Sequence, residues 1–260
     1  IPDLGDFLFM PGTGEIKLNP GTDENPDEGY RSRFSHEEEK ATPGYYGVML
    51  KDYGVKAEMT SAVRSGMFRF TYPKSDKSFI LIDLNHTLWQ KCVWSNIRVE
   101  NDSVVTGYKL VKGWGPERHI YFRAVFSKPL KNFMIYQDQK PVIYNTSRFR
   151  SNREAWGPNI MFTATFSTDA DEVVTVKTSI SAISTDGAAL NMRELDGMTF
   201  DSVKALAEQK WEKELSTYTI KGTREQKETF YTSAYHAALC PFVYNDADGS
   251  YLGLDKNVEK

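Results

Sequence analysis

Residues 45–72 read YYGVMLKDYGVKAEMTSAVRSGMFRFTY, and their spacing decides the fold. Tyr46, Val48 and Leu50 alternate with Gly47, Met49 and Lys51, and Asp52-Tyr53-Gly54 forms a turn. Val55, Ala57 and Met59 alternate again, as do Phe68, Phe70 and Tyr72 before Pro73. A period of two puts one face of each segment in a core, which is the signature of half-buried strands. Outward from this stretch the pattern repeats. Phe7-Leu8-Phe9-Met10 is a short apolar run and a candidate strand. Phe79 to Leu84 is a continuous apolar strand, and further strands are expected over 104–110, 120–126, 133–136, 160–166 and 173–181. Roughly nine or ten strands result, with turn signals between them and no long helix through residue 185. Helices do not alternate with strands, so a parallel sheet is excluded and an antiparallel β-sandwich is expected.

The polar stretch just before these strands, FSHEEEKATPGYY over residues 34–46, brings His36, Glu37, Glu38 and Glu39 to a Pro-Gly turn and two tyrosines. A loop entering a sheet is held still by it, so ligand or interface chemistry is expected there, against the alternative of a solvated acidic turn. Residues 1–33 are loop-rich. Gly12-Thr13-Gly14 lacks the Gly-Lys-Ser/Thr ending and following helix of a phosphate loop.

Past Gly187 the character changes. Val203, Leu206, Ala207, Trp211 and Leu215 share one face of a helix over 201–215, with Asp201 as its expected N-cap. Thr219 to Gly222 breaks the pattern, and Thr223-Arg224-Glu225-Gln226 is a capping box that starts a second helix, which Pro241 ends. That helix carries Phe230, Ala234, Ala237 and Ala238 on one face, with Tyr231 and Tyr235 beside it, so it needs a partner. The division expected is a β-sandwich over 1–187, a helical linker over 188–222 and the start of a helical domain over 223–260.

Composition narrows the function. The 260 residues are 40% hydrophobic and 13% aromatic, enough for a sizeable core. The formal net charge is −3 with the signs interspersed, which argues against a nucleic-acid partner. No apolar run is long enough to span a membrane. Ile1 opens no signal peptide. Cys92 and Cys240 give neither a disulfide framework nor a zinc spacing. Trp89, Trp94, Trp114 and Trp156 sit in polar company. Trp114 and Trp156, each in a loop beside a Gly-Pro pair, are candidates for stacking on sugar rings; the alternative is that each pins its loop to the sandwich. Tyr244 to Gly249 has glycine at the sixth position of a calcium loop but no acid at the first, so it reads as a turn. The sequons at Asn85, Asn101 and Asn145 carry little information. No nucleophile motif, dinucleotide fingerprint or HExxH is present.

Several pieces in order resemble glycoside hydrolase family 92, the calcium-dependent exo-acting α-mannosidases. They are Pro2-Asp3-Leu4-Gly5-Asp6, Phe34-Ser35-His36-Glu37 with Pro43-Gly44-Tyr45-Tyr46, and Glu58-Met59-Thr60-Ser61. Gly113-Trp114 with Ile120-Tyr121-Phe122 follows, then Phe230-Tyr231, Tyr235-His236, Pro241 and Asp246-Ala247-Asp248-Gly249. The resemblance implies a β-sandwich, a helical linker and an (α/α)6 barrel, here broken off after its first helix and lacking the Ser-Gly-Thr-Gly loop before Pro2. It implies hydrolysis of terminal α-mannosides, as in α-1,2-mannosidases, with inversion: a glutamic acid protonates the leaving oxygen, a carboxylate base activates water and Ca2+ helps distort the sugar. The acid, the base and most calcium ligands are expected beyond Lys260, so the chain alone is expected to be inactive. Its own share is one wall of the cleft, with His36, Glu37, Glu39 and Trp114 from the β domain and Asp246 and Asp248 from the barrel's start. Mannose-containing glycans and the absent barrel are the expected partners, in an exported protein of the periplasm or cell surface. Cys92 and Cys240 depart from the family pattern. The rival reading is a non-catalytic carbohydrate-binding or structural sandwich.

Overall fold

A computed structural model describes residues 5–113, 117–144 and 152–260 of the chain. In chain order the strands are β1 (Leu8–Thr13), β2 (Lys40–Thr42), β3 (Tyr45–Leu50), β4 (Val55–Ser61), β5 (Ser65–Tyr72), β6 (Ser75–Asp83), β7 (Lys91–Val99), β8 (Val104–Lys112) and β9 (Arg118–Phe126). They continue as β10 (Asn132–Gln137), β11 (Lys140–Pro141), β12 (Glu154–Gly157), β13 (Ile160–Thr168) and β14 (Glu172–Ser181). Helices α1 (Thr185–Met192), α2 (Phe200–Leu215) and α3 (Arg224–Ala238) follow, then a small hairpin of β15 (Tyr251–Leu252) and β16 (Val258–Glu259).

The strands form the expected antiparallel sandwich. One sheet has the order β1-β6-β13-β10-β11, the other β12-β7-β8-β9-β14-β5-β4-β3-β2. The period of two works as read: Phe68, Phe70 and Tyr72 of β5 pack in the core with Val174 and Val176 of β14, while Met67 and Arg69 turn to the opposite face, toward α2. The continuous apolar run 79–84 is the centre of the smaller sheet, between β1 and β13, and every residue from Ser78 to Asp83 is buried. Truncating Ile80 or Ile82 there would cost about 2–5 kcal/mol.

Several elements differ from the sequence reading. Strand β7 went unread because a bulge interrupts its alternation: Cys92 pairs Val111 and Trp94 pairs Leu110, leaving Val93 as the extra residue. Trp156, expected on a loop, lies on the edge strand β12, where it pairs Asn96 of β7. The N-cap of helix α2 lies two residues before the expected one. Thr199 is the N-cap, its hydroxyl accepting from the Ser202 N–H at 3.2 Å while the Ser202 hydroxyl accepts from the Thr199 N–H at 2.9 Å. Asp201 instead pairs with Arg69 at 2.8 Å. The capping box at Thr223 and Gln226 forms as read.

Candidate functional site

The turn Pro43-Gly44 joins β2 to β3. Gly44 takes φ +83, and a Cβ there would come within 2.7 Å of the Ala207 Cβ, so glycine allows both the turn and the close seating of α2. This fixes the stretch 34–46 against the larger sheet. Within it, His36 Nδ1 lies 2.6 Å from Glu39 Oε2, and the Tyr46 hydroxyl donates to Glu39 Oε1 at 2.5 Å. The Tyr46 donor and then His36 hold the Glu39 carboxyl below its usual range. Burial first, then the Glu39 contact, pushes the Tyr46 hydroxyl up to about 12. Glu39 is therefore an ionised acceptor locked by two donors, suited to binding and positioning rather than to moving a proton. His36 is exposed, Glu37 projects into solvent, and Glu38 pairs with Lys51 at 3.1 Å. Of the three acids, Glu39 is the one turned toward the sheet.

Tyr46 also borders a cleft of about 1200 Å³ between the sheet and the helices, where Met59 and Phe68 face Trp211, Tyr231 and Tyr235. The face of α3 that meets it carries Arg224, Lys227, Glu228, Tyr231 and Tyr235. Phe230 packs instead on Tyr218, with ring centroids 6.0 Å apart. A second cleft of about 620 Å³ shares Ser61, Gly66, Phe68 and Thr178 with the first and runs on to Phe7, Arg118, His119 and Asp246. The two form one continuous trough along the sheet.

At the far end of this trough sits Asp246. It is 3% exposed, and its carboxylate accepts from the Ser181 hydroxyl and the Asn191 amide, each at 2.7 Å. Asn191 in turn accepts from the Ala247 N–H at 2.7 Å and donates to the Ile180 carbonyl at 2.9 Å. Arg64 Nε donates to the Asn245 carbonyl at 2.7 Å, and Glu194 accepts from the Arg64 N–H at 2.6 Å. The segment 245–250 is thus clamped to β14, α1 and the β4–β5 turn. Asp248, at the tip, accepts from the Ser250 N–H at 3.0 Å and lies 3.4 Å from Lys260; the Ser250 contacts hold its carboxyl below the usual range. Nearby Glu117 takes Lys256 at 2.7 Å and Lys112 at 3.3 Å, tying the β15–β16 hairpin to the turn between β8 and β9. Trp114, in that turn, lies outside the described residues.

This end does not make a calcium loop. Both Asp246 oxygens are taken by protein donors, and no three His, Cys, Asp or Glu side chains converge as a metal site among the described residues. The cysteines are free, Cys92 buried and Cys240 exposed. Among the described residues no helix is long and apolar enough to cross a membrane.

One positioning group went unread. Glu58 of β4 is 4% exposed and directly opposite Arg69 of β5. Its carboxylate accepts from Arg69 Nε and NH2, each at 2.9 Å, and from the Tyr45 hydroxyl at 2.8 Å, with Lys56 at 3.3 Å. Burial alone would raise its pKa, but these donors and charges outweigh it and hold the carboxyl at about 2. Arg69 continues to Asp201 and lies 4.1 Å over the Phe200 ring, so the network seats α2 beside the 43–46 turn. The hairpin register would have exposed this pair, since the Ala62-Val63-Arg64 turn places Glu58 across from Arg69.

The comparisons agree with the architecture. The model of the glycosyl hydrolase family 92 N-terminal domain matches residues 1–181, and that of the glycosyl hydrolase family 92 catalytic domain matches residues 187–260. No curated protein matches the chain. Among solved structures, the family GH92 alpha-mannosidase BT3965 from Bacteroides thetaiotaomicron is 68% identical over 100% of this chain, with a TM-score of 0.97. The same protein in complex with mannoimidazole gives the same identity and TM-score. The inverting mannosidase BT2199 from Bacteroides thetaiotaomicron VPI-5482 is 24% identical over 97% of the chain, with a TM-score of 0.80, and so shares the fold. The chain spans 33–35% of the length of these proteins. With the family models matching from end to end and the sandwich superposing on these structures, the chain belongs to glycosyl hydrolase family 92.

Proposed function

We propose that this chain is part of an exo-acting α-mannosidase that removes terminal α-mannosyl residues from glycans. The observation that carries this reading is the 68% identity over the whole chain to an α-mannosidase, a relative also solved with mannoimidazole. In the division we propose, residues 1–187 form the sandwich, 188–222 the helical linker and 223–260 the start of the helical catalytic domain. The sandwich supplies one wall of the substrate cleft. Glu39, oriented by His36 and Tyr46, is the acceptor that this wall presents, and Glu37 and Trp114 remain proposed substrate contacts from their sequence positions. Asp248 serves at the opposite end, while Asp246 holds that end in place.

The reaction we propose inverts the anomeric centre. A carboxylic acid protonates the leaving oxygen, and a carboxylate opposite it, separated by roughly 6.5–9.5 Å, takes a proton from the attacking water. We assign both carboxylates, and most ligands of a calcium ion, to the part of the relatives' length that this chain does not span. We also propose that the protein is exported, to the periplasm or cell surface, as the family resemblance implies. Mannose release from oligomannosides, followed with and without a calcium chelator, tests the assignment. The full-length protein is expected to release mannose and to lose that activity on chelation, and the 260-residue chain to release none. Release by the isolated chain would overturn the reading.

A further inference from the structure

The outer face of the larger sheet carries an aromatic row that the cleft does not use. Directly paired residues share a face of a sheet. Trp156 of β12 pairs Asn96 of β7, Asn96 pairs Tyr108 of β8, Tyr108 pairs Tyr121 of β9, and Tyr121 pairs Ser181 of β14. Trp94 lies two residues before Asn96 on β7, diagonal to Trp156 and on the same face. The row therefore runs four strand spacings, about 19 Å, from the sheet edge to Ser181, whose hydroxyl binds Asp246. Its inner part is packed: the Tyr108 and Tyr121 rings lie 4.8 Å apart, and the Tyr108 hydroxyl meets His119 Nδ1 at 2.9 Å. Its outer part is open, with Trp94 45% and Trp156 56% exposed.

Two half-exposed indoles on adjacent strands cost apolar hydration unless something covers them. Trp156 is also held still. The Trp156 indole N–H donates to Glu154 Oε1 at 3.0 Å, and the same oxygen takes the Asn96 amide at 3.4 Å. Arg98, paired across from Glu154, is exposed and makes no side-chain hydrogen bond or ion pair with the described residues. Flat apolar faces fixed beside a carboxylate, an amide and a guanidinium match a pyranose, whose C–H face is apolar and whose rim is hydroxyls. An apolar protein segment would leave those polar groups unmatched.

We propose that Trp94 and Trp156 form a second, non-catalytic glycan platform, at which the outer sugars of a branched or polymeric glycan stack while Arg98 and Glu154 bind their hydroxyls. The choice of a mannose-containing glycan rests on the mannosidase reading; the platform geometry does not.

The test uses the full-length protein and its Trp94→Ala/Trp156→Ala variant. Retention is measured in native gels cast with α-mannan, and hydrolysis is measured on a small aryl α-mannoside. Two lost stacking contacts are expected to weaken retention at least about fivefold, with aryl mannoside hydrolysis unchanged and Trp156→Phe retaining most of the binding. Unchanged retention of the double variant would overturn the platform. So would tryptophans shielded from acrylamide quenching in the wild-type protein, which would make this face an internal interface. Failure of both proteins to hydrolyse the aryl mannoside would count against the mannosidase reading alone, since retention is read independently.

Discussion

Replacing Glu58 with Gln removes the charge at the centre of the network that seats α2 while keeping the side chain's shape. Glu58 Oε2 accepts from Arg69 Nε, so a Gln amide there sets donor against donor. The carboxyl falls from an ordinary 4.5 to about 2 in the folded protein. That difference corresponds to about 3 kcal/mol of stability at pH 7. Because the folded value lies below the unfolded one, that stability is fully present above pH 4.5 and is lost as pH falls through 4.5 toward 2. About 1 kcal/mol remains at pH 3 by the same linkage relation. Urea unfolding of wild type and Glu58→Gln, followed by tryptophan fluorescence at pH 7 and pH 3, isolates the effect, because the other carboxyls titrate in both proteins and cancel. The gap is expected to be about 3 kcal/mol at pH 7 and to narrow by about 2 kcal/mol at pH 3. A gap below about 1 kcal/mol at pH 7, or one that does not change with pH, would refute the reasoning.

Asp246→Ala leaves the Ser181 hydroxyl and the Asn191 amide without their acceptor in a buried site, at a cost of about 2–3 kcal/mol. Limited proteolysis should then cut within 242–250 much faster than in wild type, and an unchanged digestion pattern would contradict the clamp. Thr223→Ala removes the N-cap of α3, worth about 1 kcal/mol. Because α3 has no buried residues, the loss should be local: amide exchange over 226–229 quickens about fivefold while the global unfolding midpoint holds.

The fold was legible where period two was unbroken. Phe68, Phe70 and Tyr72 announced β5, and the run 79–84 announced the middle of the smaller sheet. It was illegible where local geometry broke the period, as at the Val93 bulge, or where a strand was four residues long, as at Trp156. Helix α1 escaped because it is only eight residues long, its Thr185, Asp186, Gly187 and Asn191 are weak helix formers and it shows no clear apolar stripe. Its seat comes from tertiary contacts, the Ser179 hydroxyl donating to the Ala188 carbonyl at 2.6 Å and the Asn191 amide to Ile180. The site was legible as residue types but not as roles. His36 and Glu39 fell in one stretch and do meet, but the contact with Tyr46 depends on how β3 turns that ring. Asp246 and Asp248 are two residues apart yet differ completely, one buried as a clamp and the other at an open tip. Burial of that kind is decided by α1 and β14, which no spacing near residue 246 encodes.

We propose that this sandwich serves an inverting α-mannosidase. Proton NMR of the first mannose released by the full-length protein from an α-mannoside tests it most directly. β-Mannose is expected first, with the α-anomer growing in by mutarotation, and no release is expected when the protein is treated with a calcium chelator. Initial α-mannose, or undiminished release without calcium, would contradict it.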